Sequence, residues 1–205
     1  PQGLREGAEA FGFNEEPPID LPDPAASVFP TEFPDDQGNG PLARAAIGQG
    51  DVSSSPLQMA LVAAGIANEG RVMTPHVMTR ITDQDGEEIE TYEPEVWIDD
   101  IRPDVADVVR RGMVETAENG TASGLLIEGM EVGGKTGTAQ VGSEPPRSHA
   151  WIIGFAGPPG QAPEVAVAAL VEGQPGAADE QSGGRVAAPI ARAVMEAVLA
   201  ERGGR

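Results

Sequence analysis

Gly133-Gly134-Lys135-Thr136-Gly137-Thr138-Ala139-Gln140 holds the only lysine in a chain of 205 residues; arginine supplies every other basic side chain. Thr and Ala alternate around Gly137, which reads as a strand, and a glycine inside a strand often marks the place where a ligand or another backbone comes close. A lysine ammonium is a compact point charge able to hold an anionic group. An extended peptide could therefore pair along this edge while Lys135 and the threonine hydroxyls hold its carboxylate. Taken alone, the stretch admits two readings: a glycine-rich surface strand with one solvated lysine, or a strand edge built for an anionic peptide.

The flanking sequence bears on that choice. Upstream lie Ala46-Ile47-Gly48-Gln49-Gly50, Ser55-Pro56-Leu57-Gln58-Met59-Ala60, Ala67-Asn68-Glu69-Gly70 and Thr74-Pro75-His76-Val77, then Met113 through Gly120-Thr121-Ala122. Downstream come His149-Ala150-Trp151, Gly154-Phe155-Ala156, Gly183-Gly184 and Ala187-Ala188-Pro189. Near the start stand Phe11-Gly12-Phe13 and Ile19-Asp20-Leu21-Pro22. In this order, with Lys-Thr-Gly at the centre, the segments resemble class B penicillin-binding proteins over nearly the whole chain.

Two elements of that family's chemistry are missing. It rests on a serine three residues before a lysine, a Ser-x-Asn element, and Lys-Thr-Gly. With Lys135 the only lysine, the first would need serine where Val132 stands. The residues two before Asn14, Asn39, Asn68 and Asn119 are Gly12, Gln37, Ile66 and Glu118, so no Ser-x-Asn exists either. In the family both elements precede the segment resembling Leu4 to Phe13. The expectation is that residues 1–205 are the C-terminal part of a transpeptidase (penicillin-binding) domain, incomplete at the N-terminus. Such a piece would be inactive alone, and it would leave an apolar sheet edge unpaired beside Val165 to Val171.

The resemblance implies a peptidoglycan D,D-transpeptidase that cross-links D-alanyl-D-alanine stem peptides through an acyl-serine and is acylated by β-lactam antibiotics. Lys135 and Thr138 would be its catalytic residues here, the Thr138 N–H forming half of an oxyanion hole. Lys135, Thr136, Gly137 and Thr138 would bind substrate, and no cofactor or metal is implied. Alternatives are a D,D-carboxypeptidase or β-lactamase of the same superfamily, or a non-catalytic penicillin-sensing or scaffold module. The implied setting is the cell membrane, with this domain extracytoplasmic, its anchor outside this chain, and cell-division or elongation proteins as partners.

Composition sets outer bounds. A net charge of -20 argues against nucleic acid or an anionic membrane surface as the main partner. The absence of cysteine excludes disulfides and Cys-based metal sites, and two histidines give poor support for zinc. No apolar run is long enough to cross a bilayer.

The element pattern is helices, then strands, then a helix. Leu4 to Phe11 reads as a helix end stopped by Gly12, and Glu15 to Pro41 as an irregular segment packed on the domain. Ser55 is a candidate N-cap, with Pro56 at the first helical position, Gln58 completing a capping box, and Leu57, Leu61 and Ala64 on one face as far as Gly70. Asp85-Gly86 joins Val77–Ile81 to Glu87–Tyr92 in a hairpin. A helix follows Pro103, its apolar positions Val105, Val108, Val109, Met113 and Ala117, with Gly120 as the stop. Strands at Gly134–Val141, Ala150–Phe155 and Val165–Val171 are separated by loops too short for crossovers, so they should run antiparallel. Val186 to Ala200 closes the chain as a helix with Ile190, Val194, Ala197 and Val198 along one face. The fold class is α+β (α/β class), an antiparallel sheet flanked by helices.

Lesser candidates have simpler readings. Ser148 and His149 are neighbours on a strand and point to opposite faces, which opposes a catalytic pair. His149 and Trp151 share a face near the end of the site. His76 reads as structural, Glu87-Glu88 and Asp99-Asp100 as solvated charge, and Ser53-Ser54-Ser55 as turn and cap chemistry.

Overall fold

Short loops force consecutive strands to run antiparallel, and the computed structural model has them so. Strand β6 (Arg147–Gly157) lies between β5 (Glu131–Val141) and β7 (Val165–Val171), with Lys135 opposite Ile153 and Ile153 opposite Ala168. The structure describes all residues except 34–37, 143, 146, 175–181 and 204–205. Successive side chains of a strand point to opposite faces, so β6 feeds two cores. Ile152 and Ala156, with Val132 and Val167, pack on helix α5 (Ala188–Gly203). Ile153 and Phe155 pack on α3 (Pro56–Ala67) and α4 (Pro103–Asn119). The result is a sheet held between helices, as the sequence pattern indicated. Burying a side chain such as Phe155 or Ile152 contributes about 1.5–3 kcal/mol, and both are fully buried.

Helix α3 begins where expected. Ser55 caps it, its Oγ accepting the Gln58 N–H at 3.1 Å, and Pro56 follows at the first position. The other half of the expected capping box does not form. The Gln58 side chain donates to the Phe11 carbonyl instead, and the Ser55 N–H donates to Ser27 Oγ at 3.1 Å. The expected face holds for Leu57 and Leu61, which pack in one cluster, but a second face of the helix is buried as well. Leu61 packs with Val72, Ile98, Ile101 and Ala106 in one cluster, while Ala63 and Ile66 pack with Met113, Ile153 and Phe155 in another. The helix lies between two layers, which is why it is apolar on several sides.

In two other helices the expected apolar stripe is only partly the buried one, Met113 and Ala117 of α4 being buried as expected. In α4 the buried positions are Ala106, Met113 and Ala117, whereas Val105, Val108 and Val109 are exposed. In α5 they are Ala188, Ala191, Met195 and Leu199, while Ile190 and Val194 are exposed. The half-buried Arg110–Glu131 ion pair ties α4 to the start of β5.

The amino-terminal part packs around this sandwich. Helix α1 (Gln2–Glu9) ends before Gly12, and Phe11 reaches both α3 clusters. Of the expected irregular segment 15–41, residues 34–37 lie outside the described residues. Its remainder is anchored by buried Phe29 and by a bridge between Val28 and Ser53. Helix α2 (Gly40–Ala45) starts at its end. Strands β1 (Val72–Met73) and β4 (Val96–Ile98) pair with each other, and β2 (Arg80–Thr82) and β3 (Glu88–Thr91) form the expected hairpin.

That hairpin starts later than expected because residues before it are held elsewhere. The Asp20 carboxylate accepts the N–H groups of Val77 and Met78, each at 2.8 Å. His76 stacks on Tyr92 with ring centroids 3.4 Å apart, and the Tyr92 hydroxyl donates to Thr74 O at 2.7 Å. His76 thus has the structural place assigned to it. The two N–H donors hold Asp20 below the usual carboxylate range. A depressed folded pKa gives stability that is present above the ordinary aspartate value of about 3.9 and lost as pH falls through the depressed one. Acidification should therefore release the 76–78 turn, and Asp20→Asn should release it at neutral pH. Amide hydrogen exchange at Val77 and Met78 checks both. Exchange that stays slow in the variant would show that the clasp is not what orders this turn.

Candidate active site

Strand β5 gives one edge to β6 and leaves the other open. In an antiparallel ladder a residue's N–H and C=O point to the same side, alternating along the strand. Three contacts mark the side facing away from β6. The Thr136 carbonyl accepts from Lys135 Nζ at 2.7 Å, the Thr138 carbonyl accepts from Gln49 Nε2 at 2.9 Å, and the Gln140 N–H donates to Gln49 Oε1 at 3.3 Å. Thr136, Thr138 and Gln140 therefore present their backbone groups outward, and the Thr138 N–H points the same way.

The predicted residues come together along this edge. Alternation places Lys135 and Thr136 on opposite faces, yet the lysine side chain curls to the edge and brings its ammonium to Thr136 O. The Thr136 hydroxyl shares a hydrogen bond of 2.8 Å with the Thr121 hydroxyl. Lys135 and Thr138 are exposed; Thr136 and Gly137 are half-buried. Lys135 forms no ion pair among the described residues, so its charge is available to an anion.

A cleft of about 380 Å³ opens beside this edge and reaches Lys135 through Ala139. Phe13, Phe29, Ile47, Met59, Trp151 and Ile153 give it an apolar lining, and Gln49 stands at its rim. An apolar concavity with a few convergent polar groups is the usual form of a ligand site.

The glycines of β5 divide into two kinds. A Cβ on Gly133 would lie 2.2 Å from the Phe155 ring, and one on Gly134 would lie 2.3 Å from Leu125 Cδ1. Those two are glycine because the cores need their space. A Cβ on Gly137 would meet only Trp151 Cβ, at 3.2 Å. Its bareness keeps the cleft open beside Lys135.

Other candidates fall away. Ser148 is buried, and His149 Nδ1 accepts the Gly173 N–H at 3.0 Å, so the histidine holds the segment after β7 and is not paired with a nucleophile. Ser55 caps α3, and Ser54 borders the cleft with its hydroxyl donating to the Ser55 carbonyl at 3.3 Å. Glu87, Glu88, Asp99 and Asp100 are exposed, and no cluster suited to a metal occurs among the described residues. Two participants were not read as site residues from sequence: Gln49 and Thr121. A glutamine between two glycines was the available signal for the first, and the Gly120-Thr121-Ala122 segment of the resemblance for the second.

The family model for the penicillin-binding protein transpeptidase domain matches residues 1–196. Peptidoglycan D,D-transpeptidase PbpA of Mycolicibacterium smegmatis is 40% identical over 206 residues, which cover 97% of this chain and 39% of that protein. Penicillin-binding protein A from M. tuberculosis, in its ceftriaxone acyl-enzyme complex, superposes with a TM-score of 0.84 at 38% identity, covering 97% of this chain and 43% of that one. The D,D-transpeptidase domain of a peptidoglycan glycosyltransferase from Eggerthella lenta superposes with a TM-score of 0.78 at 29% identity, over 100% of this chain and 49% of that one. The chain thus spans about two fifths of the length of the relative it matches at 40% identity.

The two kinds of glycine should respond differently to one added methyl. Gly133→Ala should destabilise the fold by about 1–3 kcal/mol, the usual cost of overpacking, because the Phe155 ring has nowhere to move. Gly137→Ala should leave stability nearly unchanged while narrowing the cleft. Urea unfolding midpoints of the two variants test the distinction; equal losses would remove it.

Proposed function

We propose that this chain, which belongs to the class B penicillin-binding protein transpeptidase family, is the C-terminal part of a peptidoglycan D,D-transpeptidase domain, occupying residues 1–205 of its own numbering. The reading is supported above all by the free edge of β5, where an ammonium with no carboxylate partner among the described residues, threonine hydroxyls and outward backbone groups line the mouth of an apolar cleft. That arrangement suits an extended peptide ending in a carboxylate. A D-alanyl-D-alanine stem peptide is the proposed substrate, and β-lactams are its mimics.

In the proposed reaction a serine from outside this sequence attacks the carbonyl of the penultimate D-alanine. The C–N bond to the terminal D-alanine breaks, that residue leaves as the free amine, and the acyl-serine passes to the amine of a second stem peptide. Lys135 supplies positive potential toward the terminal carboxylate, Thr136 and Thr138 offer it hydroxyls, and Gly137 leaves it room. The outward Thr138 N–H serves as one oxyanion donor, a type of contact typically worth about 2.7–4 kcal/mol in the transition state. The rest of the protein would carry the nucleophile, the Ser-x-Asn element and a membrane anchor, placing this domain outside the cytoplasm beside division or elongation proteins.

The transpeptidase reading is preferred to a carboxypeptidase or a sensor because several relatives that match nearly the whole chain, at 40% and 32% identity, are named peptidoglycan D,D-transpeptidases. The chemistry of β7 also fits a part of a larger sheet. Val165 through Val171 pairs only with β6 among the described residues and carries no charge or proline to guard its outer edge.

Two measurements test the proposal. Residues 1–205 alone should form no covalent adduct with a fluorescent penicillin, since the acylating serine and its lysine are absent; a labelled band on a denaturing gel would point to another nucleophile. In the intact protein, Lys135→Ala should slow β-lactam acylation roughly ten- to a hundredfold, matching loss of a charge-assisted contact of about 1.5–3 kcal/mol. Unchanged acylation in a folded variant would overturn the assignment of Lys135.

A further inference from the structure

Gln49 stands in the place of a partner strand. Its amide donates to the Thr138 carbonyl at 2.9 Å and accepts the Gln140 N–H at 3.3 Å, so one side chain satisfies two adjacent outward groups of β5. The loop that presents it is shaped for this. Gly48 and Gly50 on either side have φ of +71° and +75°, a conformation glycine adopts at no steric cost. The loop is otherwise exposed, with Ile47 at 75%, so the side chain can leave without disturbing a core.

The occupied carbonyl is the one a docked peptide needs. An antiparallel partner residue that pairs with Thr138 exchanges both hydrogen bonds with it, taking its N–H and its C=O. The Thr138 N–H has no side-chain partner among the described residues, but its C=O is held by Gln49. A backbone carbonyl can accept two donors, but the Gln49 amide also takes the neighbouring outward Gln140 N–H and so lies on the side a partner strand would approach. A ligand with a backbone-like N–H therefore competes with Gln49 for the Thr138 carbonyl. A ligand without such an N–H can leave Gln49 in place.

We propose that Gln49 is a specificity-determining residue of this cleft. It holds the Thr138 carbonyl until a ligand amide N–H replaces it, and so sets how strongly the site distinguishes amide-bearing from amide-lacking ligands. The inference rests on the peptide-docking reading above, and its test separates the two. The probes are benzylpenicillin, which carries an acylamino N–H beside its ring, and imipenem, which carries a hydroxyethyl group there. Acylation rates of the intact transpeptidase are measured with both, in the parent and in Gln49→Ala and Gln49→Met. The methionine keeps the bulk at the rim and removes the amide.

Removing the competing donor should raise the benzylpenicillin rate roughly two- to tenfold, the scale of one net hydrogen bond, and change the imipenem rate little. Both variants should show it. Equal changes with the two probes, a fall with benzylpenicillin, or a rise confined to Gln49→Ala would overturn the proposal while leaving the docking reading intact. A parent protein acylated by neither probe would overturn both.

Discussion

An unpaired strand edge governs this structure. Backbone N–H and C=O groups bind strongly and are costly to leave unsatisfied away from water, so a strand with one open side needs rigid support and some restraint on what may pair with it. Here β6 fixes β5 from the other side along eleven residue pairs. Helices α3 and α4 load one face of the sheet and α5 the other. Gly133 and Gly134 give up side chains so that Phe155 and Leu125 can press against the strand. The open side is then restrained by two flexible polar side chains, Lys135 on the Thr136 carbonyl and Gln49 on Thr138 and Gln140. Both ties are reversible at small cost, which suits an edge meant to exchange partners.

Charge adds a second constraint. In a chain of net charge -20, a single exposed ammonium at a cleft is a local reversal of the surrounding field. Long-range attraction of an anionic ligand would be weak or opposed, with exposed charges largely screened beyond about 8–10 Å at physiological salt. On the proposed reading, recognition by Lys135 would act at contact distance, together with the hydroxyl pair of Thr121 and Thr136 and the apolar wall of the cleft. That division suits a ligand which is a peptide with one terminal charge better than one that is anionic throughout.

Much of this was legible in the sequence, and the failures share a cause. Strands, their antiparallel order, the Ser55 cap and the Lys135–Thr138 edge follow from local chemistry: short loops, a hydroxyl before Pro56, a lysine between glycines. On α4 the expectation held for Met113 and Ala117 but not for Val105, Val108 and Val109, and on α5 Ile190 and Val194 are exposed while Ala191, Met195 and Leu199 are buried. Apolar periodicity marks a helix without telling which of two neighbouring apolar stripes meets the core. Gln58 satisfied the local capping-box pattern but was drawn to Phe11, forty-seven residues away. Gln49 belongs to the same class of error, since its partners lie in β5 and only the fold brings them together. Long-range polar partners are the part of a site that periodicity cannot reveal.

The two outer edges of the sheet differ in a way that bears on their use. Open edges invite association, and proteins guard them with lysine, proline, bulges, covering elements or short strands. Strand β5 carries Lys135, and its outward groups at Thr136, Thr138 and Gln140 are held by the side chains of Lys135 and Gln49. Strand β7 has no such guard: Val165 to Val171 is Val, Ala and Leu throughout, and its residues pack against both α3 and α5. A strand covered on both faces and apolar along its length resembles the interior of a sheet more than its margin. On the reading proposed above, the β5 edge would bind and release a ligand, and the apolar margin of β7 would pair with further main chain of a larger transpeptidase domain.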